Sequence, residues 1–168
     1  MKQYGGFVPG IRAGKPTALY CMPSLQNPTA ALMSDQRRQA IAMVALEHRL
    51  MVIEDDVYGF LAPDTKPLSS LLPEDQVFYI TSTSKSIVPG MRIGYLLAPA
   101  SAIERVSASV LRTIVNAPPA MAELATSLIT EGVASRIVEW KRKEIAARQD
   151  IAARVFDGYD PAAVTDVE

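Results

Sequence analysis

A single cysteine, Cys21, in 168 residues excludes an internal disulfide and any CxxC metal pair. The lone histidine, His48, leaves a histidine-built metal site without ligands. Basic charge is not in excess: 17 Lys and Arg against 18 Asp and Glu give a net charge of −1 and a pI near 5.9. Neutralising a run of phosphates needs a basic face, so no nucleic-acid contact is expected from this segment. No apolar run approaches the roughly 20 residues that span a bilayer. The longest are short, such as Leu50-Met51-Val52-Ile53, so membrane insertion is not expected. Met1-Lys2-Gln3-Tyr4 is not followed by the apolar stretch of a secretion signal, which makes the cytoplasm the default compartment. Internal repeats and low-complexity segments are missing too. What is present is 49% hydrophobic and 21% charged residues, the balance of an ordinary globular domain.

Four short apolar runs rich in Val, Ile and aromatics read as buried strands: 18 to 22, 50 to 54, 77 to 81 and 93 to 98. Between the first two, Ser34 is placed to cap a helix, and Asp35 favours its positive end. Ile41, Val44, Ala45 and His48 then share one face. This strand-helix-strand unit predicts two parallel strands joined by a right-handed crossover. Residues 62 to 73 carry three prolines and read as a loop. Residues 101 to 113 and 119 to 156 are helical in composition, with Pro118-Pro119 as the break between them. The expected organisation is an irregular lead-in (1–17), an α/β region (18–116), a long helical segment (117–157) and a tail (158–168).

The richest chemistry lies where the third run gives way to a turn, at Ser82-Thr83-Ser84-Lys85, followed by Pro89-Gly90-Met91-Arg92. Ligands of open α/β sheets bind beyond the C-terminal ends of parallel strands. Hydroxyls and a guanidinium supply neutral donors and a planar fork, which suit a phosphate. Pro89-Gly90 reads as a type II turn that returns Arg92 toward the serines. A solvated lysine after a Ser/Thr-rich strand exit has the same local pattern, so spacing alone leaves both readings open. Glu54-Asp55-Asp56-Val57-Tyr58 ends the second strand. Its acids suit a metal, an organic cation faced by a single carboxylate, or a plain helix cap in solvent. Asn27-Pro28-Thr29, past the first strand, is by itself only a turn signal.

Taken together and in this order, these segments resemble the class I/II aminotransferases of the fold-type I enzymes that depend on pyridoxal 5′-phosphate (PLP). Asn27-Pro28-Thr29 is similar to the family's NPTG motif, and Asp55 with Tyr58 to its Asp-x-x-Tyr. Ser82-Thr83-Ser84-Lys85 and Pro89-Gly90-Met91-Arg92 are similar to its S-x-S-K and P-G-x-R. The resemblance runs from about Tyr20 to about Arg154 and implies part of the family's large domain, an α/β fold with a mostly parallel sheet. It implies that Lys85 holds PLP as a Schiff base and then moves the substrate proton. Asp55 would keep the pyridine nitrogen protonated, Asn27 and Tyr58 would hydrogen-bond the phenolic oxygen, and Ser82, Ser84 and Arg92 would hold the phosphate. The substrates implied are an amino acid and a 2-oxo acid, handled by a homodimer in the complete protein.

Glu54 to Tyr58 and the run from Ala117 to Glu123 also resemble the aminotransferase-like domain of MocR-type regulators in the GntR group, where a winged-helix domain precedes a PLP domain that senses an amine or amino acid. Three functions are therefore carried forward: an aminotransferase, an effector-sensing domain, and a truncated remnant with neither activity. The family's earlier phosphate-binding segment is expected to precede Met1, and the small domain with its carboxylate-binding arginine to follow Glu168. A block of four strands would expose sheet edges, so the chain alone is expected to be unstable or dependent on partner segments. Ala30 stands where the family has glycine after Asn-Pro-Thr, so strain is expected there if the position needs a positive φ. Glu54 and Asp56 are assigned no cofactor role. Trp140 and Lys141-Arg142-Lys143 are expected to be a packed aromatic and a solvated charged helix face.

Overall fold

The four apolar runs form strands β1 (Ala18–Cys21), β2 (Met51–Asp55), β3 (Val77–Ser82) and β4 (Gly94–Leu97) in one sheet of order β1-β2-β3-β4. The computed structural model describes residues 14–156; most of the lead-in and all of the tail lie outside them. β1, β2 and β3 are parallel, while β4 runs antiparallel to β3, so the sheet is mostly parallel, as expected. Helix α1 (Asp35–Glu47) makes the crossover from β1 to β2. Ser34 caps it, its hydroxyl accepting from Arg37 N–H, and Asp35 lies in the first turn. Ile41, Val44 and Ala45 are buried, and with Ala42, Leu50, Val52 and Leu68 they form the core between α1 and the sheet.

Alternation along β2 divides its side chains between the two faces. Val52 and Glu54 are fully buried on the α1 side, whereas Met51, Ile53 and Asp55 are only partly covered. The runs are thus not buried on both faces: Tyr20 is 58% exposed, and all four residues of β4 are exposed. β1 and β4 are the sheet edges among the described residues.

Past β3, a single turn of helix, α2 (Thr83–Ser86), carries Lys85. Helix α3 is Ile103–Thr113. The expected continuous helix over 119–156 is instead two, α4 (Pro119–Thr130) and α5 (Val133–Val155). Gly132, at φ 71, makes the break in the left-handed region that glycine adopts without a Cβ clash. Pro119 occupies the first turn of α4, where its missing N–H costs nothing. Ala125 of α4 packs with Ile87, Met91 and Ile93 in a second core, flanked by Ala134 and Ile137 of α5, and this docks the helical hairpin beside Lys85. None of the helices described is long and apolar enough to cross a membrane.

The loop after β1 is closed by Ala30 N–H donating to Gln26 O at 2.7 Å and by the Thr29 hydroxyl donating to Gln26 Oε1 at 2.6 Å. Ala30 itself sits at φ 58, the conformation its glycine-like position calls for. The left-handed region costs an L-residue about 1–2 kcal/mol, partly offset because glycine has more freedom to lose. Ala30→Gly is therefore expected to stabilise the chain by about 0.5–1 kcal/mol, read as a higher urea midpoint at unchanged slope.

Candidate functional site

The parallel strands end on one side of the sheet, and the candidate residues lie at or beyond those ends. Pairing of Cys21 with Glu54 and of Asp55 with Ile80 puts the Asn27 loop beyond β1, Asp55 at the tip of β2, and Ser82, Ser84 and Lys85 beyond β3. Pairing of Ser82 with Gly94 brings the strand that follows Arg92 alongside. The Thr83 N–H and hydroxyl both donate to Ile93 O, at 3.0 and 3.1 Å, which ties the Lys85 segment to the residue after Arg92.

Lys85 is exposed, and its Nζ lies 5.6 Å from the centroid of the Tyr58 ring, within cation–π range. The two line a cleft of ≈ 290 Å³ with Phe60, Trp140, Lys141 and Arg148. Among the described residues the side chains of Ser82, Ser84 and Arg92 take up no hydrogen bond, and none of the three lines the cleft that holds Lys85 and Tyr58. The turn at 89–91 differs from the type II expectation. Met91 N–H donates to Val88 O at 3.4 Å in a 3-10 turn, and Arg92 rather than Gly90 adopts the positive φ, 55. Proline at the second position is compatible with either turn, so sequence does not decide between them.

Asp55 points away from the core. Its Oδ2 accepts from the Tyr20 hydroxyl at 2.8 Å and its Oδ1 from Val57 N–H at 3.3 Å. That hydrogen bond to a carboxylate raises the Tyr20 pKa above its ordinary value. Asn27 is exposed and lines a second cleft of ≈ 680 Å³ with Tyr20, Cys21 and Gln26. Tyr20 therefore bridges the Asn27 cleft and Asp55. No hydrogen bond among the described residues joins Asn27 to Tyr58 or Lys85. Burial pushes the Cys21 thiol up to about 12, so it stays protonated at neutral pH.

The two neighbouring acids do not lie in solvent. Asp56 is buried: its Oδ2 accepts from the Tyr79 hydroxyl at 2.6 Å, and its Oδ1 has no hydrogen-bond partner among the described residues. Burial, then the bond to Asp56, raises the Tyr79 pKa. The carboxylate folds so closely over Gly59 that a Cβ there would lie 2.0 Å from Asp56 Oδ2. Glu54 is completely buried, accepting from Leu68 and Ser69 N–H at 2.9 and 2.6 Å, with Arg38 Nη1 3.7 Å from its Oε1. Three consecutive acids thus face three different environments, because strand alternation and the turn after β2 separate them.

The residues missed by sequence reasoning are Tyr20, Lys141 and Arg142. Lys141 Nζ donates to Lys85 O at 2.9 Å and to Ile87 O at 2.7 Å, and Arg142 Nε donates to Phe60 O. Neither cation belongs to a solvated face, unlike Lys143, which pairs one turn back with Glu139. Trp140 is 60% exposed rather than packed. Tyr20 had a signal in its position on the strand preceding Asn27. The cations had none, because their partners are backbone carbonyls 54 to 82 residues away.

Residues 11–158 match the family model described as aminotransferase class I and II. An uncharacterized HTH-type transcriptional regulator of Bacillus subtilis, YisV, is 32% identical over 161 residues, covering 94% of this chain and 31% of the regulator. The chain spans about a third of the length of such curated relatives. Among solved structures, Pyrococcus horikoshii kynurenine aminotransferase in complex with PMP superposes with a TM-score of 0.74 at 27% identity, over 80% of this chain and 34% of that one. An alpha-aminoadipate aminotransferase from Thermus thermophilus, complexed with N-(5'-phosphopyridoxyl)-L-leucine, gives a TM-score of 0.73 at 25% identity, over 84% of this chain and 38% of that one.

Proposed function

The chain belongs to the class I and II aminotransferase family and has the α/β, fold-type I architecture of the aminotransferase structures it resembles, and on that premise we propose that it binds PLP for amino-group transfer between an amino acid and a 2-oxo acid. The observation that carries this reading is the Lys85 amine just past the end of β3, exposed and 5.6 Å from the centroid of the Tyr58 ring.

The donor set fits the cofactor at each end. Lys85 supplies a primary amine for the aldehyde, and Ser82, Ser84 and Arg92 supply neutral and charged donors for the phosphate. Asp55, steadied by Tyr20 and by Val57 N–H, would accept from the pyridine nitrogen and hold its proton. Asn27 and Tyr58 would donate to the phenolic oxygen. When bound, PLP supplies an electron-poor ring that weakens the bonds to the substrate Cα. The chain then contributes the Lys85 Nζ as the base that takes the Cα proton and returns it. Tyr58 and Phe60 line the cleft into which that amine opens.

A phosphate-directed site makes a specific demand. PLP is expected to bind at least about ten-fold more tightly than pyridoxal, and Arg92→Ala to remove most of that difference, since a charge-assisted contact is worth about 1.5–3 kcal/mol. Equal affinities for the two, or an Arg92→Ala variant that keeps the preference, would count against this assignment. Competition titration at constant ionic strength reads it out.

The likeness to an HTH-type regulator over 94% of the chain supports a second reading, in which the same site receives an amine or amino acid effector and alters a partner domain. Release of a 2-oxo acid from a supplied amino acid favours transfer. Saturable binding of the amino acid with none released favours sensing. In either case the complete protein is proposed to act as a homodimer, on the strength of family membership.

A further inference from the structure

We propose that Lys141 is a positioning residue for Lys85, acting by holding the backbone of the turn that carries it; this rests on the reading of Lys85 as the PLP-binding amine. Helix α2 is a single turn and has little stability of its own. Its end is irregular: Ile87 leaves helical geometry at φ −111 and ψ −82, so its carbonyl points out of the helix. Ile87 and Val88 N–H both return to Thr83 O, at 2.8 and 2.9 Å, which leaves the carbonyls of Lys85 and Ile87 without donors from the turn itself. The ammonium of Lys141 fills both, from the middle of α5, with two charge-assisted bonds of 2.9 and 2.7 Å. Partial burial of that ammonium costs hydration and lowers its pKa, which a side chain left in solvent would avoid.

The next residue repeats the device. Arg142 donates to Phe60 O in the turn after β2 that begins with Tyr58. Consecutive cations on one helix therefore grip the two turns that bring Lys85 and Tyr58 together. The grip acts on main chain, so it fixes where the Lys85 Cα sits while the amine stays free to react. Ile87, 8% exposed, anchors the same turn in the core that includes Ala125. Lys141 is the polar counterpart of that apolar anchor.

The test compares the wild-type chain with Lys141→Met, which keeps the length of the side chain, and Lys141→Arg, which keeps its donors. Covalent capture of PLP, in which Lys85 Nζ adds to the aldehyde carbon and water leaves, is followed by visible absorbance. Amide hydrogen exchange at Ile87 and Val88 is measured without PLP. Lys141→Met is expected to slow capture roughly ten-fold and to speed exchange at these two amides by a similar factor, with Lys141→Arg close to wild type. The urea midpoint should fall only by what that ten-fold change implies, about 1.4 kcal/mol of stability, at unchanged slope. Normal capture by Lys141→Met, or unaltered exchange at Ile87 and Val88, overturns the inference. Failure of the wild-type chain to capture PLP instead overturns the reading of Lys85, and the exchange data then decide whether Lys141 holds the turn.

Discussion

Replacing Glu54 with alanine is expected to destabilise the chain by about 3–5 kcal/mol, because it strips the partner from a buried charge. Glu54 is fully buried and Arg38 is 1% exposed. The guanidinium is anchored by Nε to Met33 O and by Nη2 to Pro23 O and the Ser24 hydroxyl. Its Nη1 makes no hydrogen bond among the described residues and lies 3.7 Å from Glu54 Oε1. Losing the carboxylate leaves that nitrogen in the core and also frees the amides of Leu68 and Ser69, which start the turn at Leu68–Leu71. Glu54→Gln keeps an acceptor for one of those amides and should lose less. Arg38→Met in the Glu54→Gln background should recover part of the loss, since neither charge then remains to be compensated. Urea unfolding followed by circular dichroism measures the cycle, and a Glu54→Ala chain within about 1 kcal/mol of wild type would refute this account of the core. The consequence reaches the site. Burial of Glu54 fixes the facing of β2, and alternation then turns Asp55 toward Tyr20.

The other large effect is expected at Lys85. Lys85→Ala should abolish covalent PLP capture altogether, with the fold intact, because the side chain is exposed and makes no hydrogen bond that the core needs. Lys85→Arg tests the chemistry separately from the charge. It keeps a cation over the Tyr58 ring but offers a guanidinium, which stays protonated and is a poor nucleophile for an aldehyde. Both variants should give the wild-type far-ultraviolet dichroism and no visible absorbance after dialysis against PLP. Visible absorbance persisting in Lys85→Arg would mean that another amine is reacting.

Most of the first half of the chain was legible because its signals are local. A hydroxyl at Ser34, an acid at Asp35 and apolar residues at helical spacing define α1 within a few residues of sequence, and the crossover follows from it. The positive φ of Ala30 was legible only through the motif in which it replaces glycine. The rest depended on distant partners. Nothing near Glu54 distinguishes it from Asp55 and Asp56 except the alternation of the strand, and its partner Arg38 lies on another element. The break at Gly132 was hidden by the helix-favouring composition on both sides. Lys141 and Arg142 sit in a basic run whose ordinary fate is solvent, and only the path of α5 past two turns brings carbonyls to them. The candidate site was read from its order of motifs, whereas its supports were not.

The most direct test of the central claim is to add PLP to the wild-type chain, reduce with borohydride so that the C=N bond to the lysine becomes a stable amine, and map the modified peptide by mass spectrometry. The account predicts one phosphopyridoxyl group per chain, on the peptide containing Lys85. Label distributed over other lysines such as Lys66 and Lys141, or no label at all, would contradict it.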